Sequence, residues 1–307
     1  MTGASRGVES VSGLTSVIIV ACDSGALLAD CVASVLTSSA PLELIISDNA
    51  SRDGSIETVA ARWRDDPRLH ILHNGKNIGF GAGCNRAAQL ARGDMLLFLN
   101  PDCHVQADTI TRLRAQAQAQ VGVIGALIVD ADGNAEAASR RRDPLLRRAL
   151  MTFSGLARLE PRWPALAGMN LARGDNISVV EDVDAVSGAL MLLPSSLFSR
   201  LGGFDEGYFL HCEDLDLCRR VRDSGLRVAC VNEVRVIHVK GMSSRARPFF
   251  VARHKHRGMW RWFTKFDPVA RNPLTRVAVW CGIWLHYATM APWYAWLWAR
   301  ARISVRG

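Results

Sequence analysis

The sequence predicts an α/β protein: a doubly wound, mostly parallel sheet followed by a helical, aromatic-rich C-terminal extension. Three observations predict it. Short apolar, β-branched runs alternate with helix-spaced segments from residue 16 onward, joined by short connections, which is the pattern of right-handed βαβ units. Turn residues fall at the carboxyl ends of those runs, the edge at which open α/β sheets bind ligands. Seven of the nine tryptophans crowd between Trp260 and Trp298, beyond the alternating region.

Taken in order, Ser16 to Val20 reads as a strand that ends in the turn Cys22-Asp23-Ser24-Gly25. Leu27 to Leu36 has helical spacing. A strand from Leu42 to Ser47 runs into Asp48-Asn49-Ala50-Ser51-Arg52-Asp53-Gly54-Ser55, followed by a helix from Ile56 to Trp63 and a strand from Leu69 to Leu72. Asn74 to Gly83 then opens a helix that runs to Leu90. The apolar run Met95 to Leu99 reads as a buried parallel strand, which Pro101 ends. A helix over Asp108 to Gln120 and a strand over Val123 to Val129 follow, with a hairpin turn at Asp130-Ala131-Asp132-Gly133. Ala135 to Val180 has no period and reads as a variable, loop-rich insert that holds Arg140-Arg141-Arg142 and Arg147-Arg148. Order returns at Asp184 to Leu193. A helix from Glu213 to Asp223 and two short strands, Val228 to Val231 and Val234 to Val239, lead to His238 and Lys240-Gly241-Met242-Ser243-Ser244.

With 307 residues the chain can bury a substantial core, and its 49% hydrophobic and 21% charged residues suit a globular enzyme or one with a membrane-facing part. The formal charge of +8 is uneven: Met242 to Gly307 holds twelve Lys/Arg against one acid, Asp267, leaving the main domain about −3. That balance opposes a nucleic-acid-binding surface on the main domain and favours an anionic partner at one end, such as a membrane face. Eight cysteines without a Cys-x-x-Cys pair read as buried free thiols. The first fifteen residues, read as a flexible N-terminus, lack a signal-peptide pattern, so a reducing cytoplasm is expected.

Several clusters carry chemistry. Asp102, held just past a strand end beside Asn100, suits a divalent cation on a diphosphate; taken alone, the Asn-Pro-Asp turn reads rather as a helix cap, and the flanking residues shift the balance. Asp48 at a strand end suits either a cap or a contact to a base or ribose. Asp53 reads as a helix cap. Gly79, Gly81 and Gly83 ahead of a helix would admit a phosphate near backbone N–H groups, although they match neither the dinucleotide fingerprint nor the P-loop. Glu213, Asp214 and Asp216 open a helix after the apolar Tyr208-Phe209-Leu210-His211-Cys212. They suit dipole stabilisation, or a general base whose proton affinity is raised by its neighbours. His238 reads as a strand-end histidine or as a metal or diphosphate contact.

Together these residues resemble the family-2 glycosyltransferases with the GT-A fold, and within them the bacterial rhamnosyltransferase-like subgroup. The resemblance runs from about Ser16 to Ser244. It is carried by Val17-Ile18-Ile19-Val20, Ser47-Asp48-Asn49-Ala50-Ser51, Asn77-Ile78-Gly79-Phe80-Gly81, Asn100-Pro101-Asp102, Gly203-Phe204-Asp205-Glu206, Glu213-Asp214-Leu215-Asp216-Leu217 and Ile237-His238. It implies an inverting transfer of a sugar, with dTDP-rhamnose favoured and UDP-hexoses as the alternative, onto a lipid-linked or cell-surface glycan. It implies a metal, Mg²⁺ or Mn²⁺, at Asp102 with His238. Donor contacts would come from Asp23, Asp48, Asn49, Asn77, Gly79, Phe80, Gly81, Asn85 and Asn100. Asp214 would be the base with Glu213 beside it, and Phe204, Asp205 and Glu206 would face the acceptor. Two departures stand out: Asn100-Pro101-Asp102 replaces the Asp-x-Asp of many relatives, and Cys22-Asp23 replaces Tyr-Asn. A non-catalytic sugar-nucleotide-binding scaffold is the rival reading, and it is disfavoured because Asp102, Glu213 and Asp214 are all present.

The expected organisation is a glycosyltransferase domain over 16–245, with a donor half (16–105) and an acceptor half (106–245, insert 135–180), then a basic extension over 246–307. Phe249 to Phe266 reads as an interfacial amphipathic helix. Val277 to Ala299 is 23 residues without formal charge, long enough to span a bilayer, yet His286, Pro292 and its scattered aromatics fit an interfacial position better. The expected location is the cytoplasmic face of the inner membrane, peripherally bound. Packing on the catalytic domain or on a second subunit is the alternative.

Overall fold

The computed structural model describes residues 10–171, 178–239 and 247–304. Lys240-Gly241-Met242-Ser243-Ser244 lies outside them. The N-terminal half, named the donor half for its expected role as the next is named the acceptor half, comprises β1 (Val11–Ala21), α1 (Ala26–Leu36), β2 (Leu42–Asp48), α2 (Ser55–Arg62), β3 (Leu69–His73), α3 (Phe80–Ala88) and β4 (Gly93–Leu99). Its strands stand in the order β3-β2-β1-β4, all parallel. β2 is buried at all seven positions, as a strand covered on both faces must be, which is why these runs read as continuously apolar. β1 starts earlier than expected. Residues 11–15 extend the strand along β4 through the pairs Val11↔Gly93 and Thr15↔Met95, so they are not a loose terminus.

The acceptor half adds β5 (Cys103–His104), α4 (Thr109–Arg114), β6 (Val121–Val129), β7 (Arg140–Arg141), α5 (Leu146–Phe153), β8 (Val180–Asp182), β9 (Ala185–Val186), β10 (Leu190–Pro194), α6 (Ser195–Arg200), α7 (Glu213–Asp223) and β11 (Arg227–His238). β10 runs antiparallel between β4 and β6, so this half of the sheet is mixed. α4 stops at Arg114, well short of Gln120, because the Ala-Gln alternation after it supplies no apolar residue to bury beyond Ile110 and Leu113. The two strands expected near residues 228–239 are one, continued through a register shift between Val231 and Arg235. The stretch 184–193 is instead two strands, β9 and β10, with Ser187-Gly188-Ala189 as the bend between them.

The insert is also more ordered than its sequence suggests. β7 pairs with β9, and Arg140 and Arg142 form ion pairs with Glu181 at 2.9 Å and Glu160 at 2.6 Å. The order comes from charge pairing, which leaves no hydrophobic period to read.

The extension is α8 (Pro248–Phe266), α9 (Pro273–Thr289) and α10 (Ala291–Ser304). α8 buries Trp262 in the same apolar cluster as Leu217 and Val221 of α7, and His256 against His286 and Tyr287 of α9, so this face is already covered by protein rather than free for an interface. The uncharged run 277–299 is divided between α9 and α10 at Met290. Among the described residues, no helix is long and apolar enough to cross a membrane.

α8 is held by charge as well as by packing. Asp216 on α7 is fully buried and accepts from both Arg220 Nε and Lys265 Nζ of α8. This acid therefore braces two helices. Removing one partner of a buried ion pair leaves the others uncompensated. Asp216→Ala should lower stability by about 3 kcal/mol, measured by urea unfolding, whereas exposed Asp132→Ala should change it little.

Candidate active site

The parallel register Ala21↔Asp48 brings the ends of β1 and β2 side by side. There a cavity of about 300 Å³ is lined by Cys22, Asp23, Asn49, Ala50, Arg52, Gly75, Lys76, Asn77 and Arg247. Asp48 Oδ1 accepts from Ser51 N–H at 2.9 Å and caps the turn, while its Oδ2 meets His73 Nδ1 at 3.0 Å. The N-cap of α2 is Gly54 rather than Asp53; Asp53 stands one residue ahead and fixes the turn, accepting from Ser55 N–H at 3.1 Å and Gly25 N–H at 2.7 Å. Asp23 sits at φ 51°, accepts from Arg52 N–H at 2.8 Å and pairs with Arg247 Nη2 at 3.2 Å. With Arg52, Lys76 and Arg247 around it, the pocket has the charge for an anionic ligand.

Asn49 and Asn77 build the pocket floor. Asn49 Nδ2 donates to Gly79 O at 3.1 Å and Asn77 Oδ1 at 3.3 Å, and its Oδ1 accepts from Asn74 Nδ2 at 2.9 Å. Asn77 Oδ1 also accepts from Gly79 N–H at 3.0 Å. These amides fix where the loop after β3 lies.

The glycines make room for packing, not for a phosphate. A Cβ on Gly79 would lie 2.7 Å from Phe209 O, one on Gly81 3.1 Å from Phe204 Cβ, and one on Gly83 3.0 Å from Val20. The N–H of Phe80 donates to Phe209 O at 3.0 Å, so the start of α3 is closed by the acceptor half. Asn85 spends its side chain within the protein. It clamps the Gly203-to-Glu206 turn, donating to Phe204 O at 2.9 Å and Glu206 Oε1 at 3.0 Å and accepting from Phe204 N–H at 2.8 Å. Within that turn Phe204 points into the protein while Glu206 is exposed. Phe204 is core, with Phe98 at 4.9 Å and Phe198 at 5.5 Å between ring centroids. Burial pushes the Asp205 carboxyl up, but Arg261 and Lys265 of α8 outweigh it and hold the group down at about 2.

The metal residues predicted from sequence do meet. β5 pairs antiparallel with β11, placing Cys103 opposite His238. Asp102 Oδ1 therefore lies 3.2 Å from His238 Nε2, and Val239 N–H donates to Asp102 O at 3.0 Å. On the far side of the ring, Glu136 Oε1 sits 3.1 Å from His238 Nδ1. Burial lowers the His238 pKa, but its contacts with Asp102 and Glu136 outweigh burial and raise it. A carboxylate and an imidazole nitrogen, with the second nitrogen oriented by a carboxylate, fit a divalent cation. Cys103 is the third group within 4.8 Å, but burial pushes its thiol pKa well up and its Sγ contacts Ala189 O at 3.6 Å. Asn100 is held by its backbone, its N–H donating to Ala189 O at 2.9 Å.

The acids of α7 have divergent environments. His211 and Cys212 both adopt left-handed backbone, at φ 69° and 72°, and this costly turn aims the first residues of α7. Asp214 is buried, yet Arg141 Nη2, Gly188 N–H at 3.0 Å and Leu215 N–H at 2.8 Å all donate to it. Burial raises its pKa, but Arg141 and these hydrogen bonds bring it below the usual carboxylate range. Glu213 goes the other way: burial and the neighbouring Asp214 push its pKa up, and its Oε2 has no partner among the described residues. Asp216 serves structure alone. One bend links Asp214 to the end of β4: Gly188 holds Asp214, and Ala189 holds Asn100, two residues before Asp102.

Arg141, Glu136 and Arg247 were not predicted as site residues. Arg141 was visible only as part of an arginine run. Glu136 follows the Asp130 turn and folds back, its N–H donating to Ile128 O at 2.8 Å. For Arg247 the sequence has no local signal.

Comparison with known proteins agrees with this geometry. The model for "Glycosyl transferase family 2" matches residues 16–178. The N-acetylglucosaminyl-diphospho-decaprenol L-rhamnosyltransferase of Mycobacterium tuberculosis is 30% identical over 251 residues, 74% of this chain and 79% of the relative. The rhamnosyltransferase WbbL of Escherichia coli is 29% identical over 176 residues, 54% of this chain and 62% of the relative. Among solved structures, the mannosyltransferase PcManGT from Pyrobaculum calidifontis with GDP-Man and Mn²⁺ superposes with a TM-score of 0.56 at 17% identity, covering 95% of this chain and 74% of that one. GalNAc-T7 with UDP, GalNAc and Mn²⁺ gives 0.58 at 16% identity, covering 87% and 51%. The fold is thus of the GT-A type, and the chain is a glycosyltransferase that belongs to glycosyl transferase family 2.

Proposed function

We propose that this enzyme transfers L-rhamnose from dTDP-rhamnose, with inversion, onto a lipid-linked glycan acceptor at the cytoplasmic face of the inner membrane. The observation that carries the reading is the Gly188 bend, which sets an ionised Asp214 beside the edge that bears Asp102 and His238. The names of the mycobacterial and Escherichia coli relatives support rhamnose as the sugar, and the mycobacterial name supports a polyprenyl diphosphate acceptor.

The nucleotide would lie in the cavity between Asp48 and Arg247, with its diphosphate directed toward Asp102. Asp102 and His238 would hold the divalent cation, which offsets charge on the departing diphosphate. Asp214 takes the proton from the acceptor hydroxyl. The oxygen forms the new bond to the anomeric carbon as the bond to the diphosphate breaks on the opposite face, so one displacement inverts the centre. Arg141 keeps Asp214 ionised. Glu213, carrying its proton, adds no second charge beside it.

Asp102→Ala should abolish transfer and metal-dependent donor binding in titration calorimetry while leaving the unfolding midpoint near wild type; full wild-type activity in EDTA would remove the metal role. Because His238 must lose its proton to ligate, Mn²⁺ affinity should rise with pH through its raised pKa.

Asp214→Asn should retain donor affinity and lower turnover by about 10²- to 10⁴-fold, with Glu213→Gln affected less. The reverse ranking would exchange their roles. With dTDP-rhamnose and UDP-hexoses as competing donors, the same assay identifies the sugar.

Arg141→Gln should move the acid limb of the pH–rate profile upward by about one to three pH units. Loss of a nearby cation raises the pKa of the carboxylate that must be ionised, so activity vanishes at a higher pH than in wild type. An unmoved limb would show that Arg141 does not set the base.

A further inference from the structure

The insert and the C-terminal helices present exposed apolar surface that the catalytic fold does not use. α5 carries Leu146, Ala149, Leu150 and Phe153 at i, i+3, i+4 and i+7, the stripe with which a surface helix normally meets a core. None of its eight residues is buried, and Leu150 and Phe153 are 54% and 62% exposed. The chain stays apolar and exposed through Leu156, Leu159 and Trp163. α9 also buries no residue, and it exposes Leu274, Val277, Trp280 and Leu285.

Two contacts join these into one surface. Asp267, the one acid of the extension and itself buried, accepts from Leu146 N–H at 2.7 Å with Oδ2 and from Val269 N–H at 3.1 Å with Oδ1. One carboxylate thus fixes the start of α5 and the turn that leads into α9. At the other end of α5, the Phe153 ring lies 5.9 Å from that of His286 on α9.

Charge identifies the partner. Arg147, Arg158 and Arg162 are exposed in the insert, and Arg271 and Arg276 at the start of α9. The acids within 144–171 and 247–299 are Glu160, ion-paired with Arg142 at 2.6 Å, and the buried Asp267. An apolar face bordered by cations and free of opposing carboxylates suits an anionic lipid surface. We infer that α5 and the turns after it dock into the membrane interface beside α9, so that the insert as well as the tail touches the bilayer. This rests on the membrane-facing reading above. It also adds a consequence: Arg141, five residues ahead of α5, is the group that holds Asp214, so the docked element and the base share one short segment.

Site-directed fluorescence tests it on the full chain. Cys281, exposed on α9, takes a nitrobenzoxadiazole label in a Cys22→Ser protein. Phe153→Cys and, as a control at an exposed position in the turn before β6, Gln118→Cys are labelled in a Cys22→Ser, Cys281→Ser background. Vesicles of equimolar phosphatidylglycerol and phosphatidylcholine carry a doxyl-lipid quencher. Blue shift and quenching at positions 153 and 281, but not at 118, are expected. Leu150→Ser with Phe153→Ser, both at exposed positions, should lower vesicle affinity by about tenfold or more with an unchanged unfolding midpoint. Quenching at 281 without quenching at 153 overturns the role of α5 and leaves the membrane reading standing. Failure of the full chain to co-sediment with the vesicles overturns both. A dimer in light scattering that the double variant abolishes would assign the face to a second copy instead.

Discussion

Residue 188 has no side chain, and the active site depends on that. A Cβ there would lie 3.1 Å from both Cβ and Oδ2 of Asp214, so any larger residue would push the carboxylate away from its N–H donor. The same bend, one residue on, receives the N–H of Asn100 and so fixes the end of β4. Antiparallel β10 then carries that bend into the sheet between β4 and β6, and the register of β11 brings His238 to Asp102. A single turn thus relates a carboxylate on a helix to the edge where Asp102 and His238 meet. Its position is set by sheet pairing, the most rigid part of the molecule.

The electrostatics follow from burial that is unevenly compensated. Two adjacent carboxyls leave water together at the start of α7, and only one receives a cation and two N–H groups. An unpaired buried acid keeps its proton, whereas a paired one gives it up. The divergence marks a site where one group carries charge and the other shapes its surroundings. Arg141 supplies the difference, and it arrives on a strand of two residues whose place is fixed by pairing with β9.

The sequence revealed what is periodic or lies at a strand end. Strand alternation was legible because both sheet faces are covered, and Asp48, Asp102 and His238 stood out because each ends an apolar run. Arg141, Glu136 and Arg247 were not legible, because their partners lie 73, 102 and 224 residues away and pairing at such distance leaves no local trace. Motif residues were also over-read. Gly81, Asn85 and Phe204 belong to recognisable patterns, but they pack the junction between the halves; packing fixes residue types as firmly as a ligand does. Alternation without apolar character misled in the opposite way, extending α4 through the Ala-Gln stretch.

The floor of the donor pocket is built from amides. Asn49, Asn74 and Asn77 hold one another and the Gly79 backbone without a formal charge. Neither protons nor salt act strongly on such a lattice, while the carboxylates and imidazole at the reacting end respond to both. The shape of the pocket is therefore set apart from its charge, which Arg52, Lys76 and Arg247 supply. The side chains that rim it can diversify over a scaffold that stays fixed.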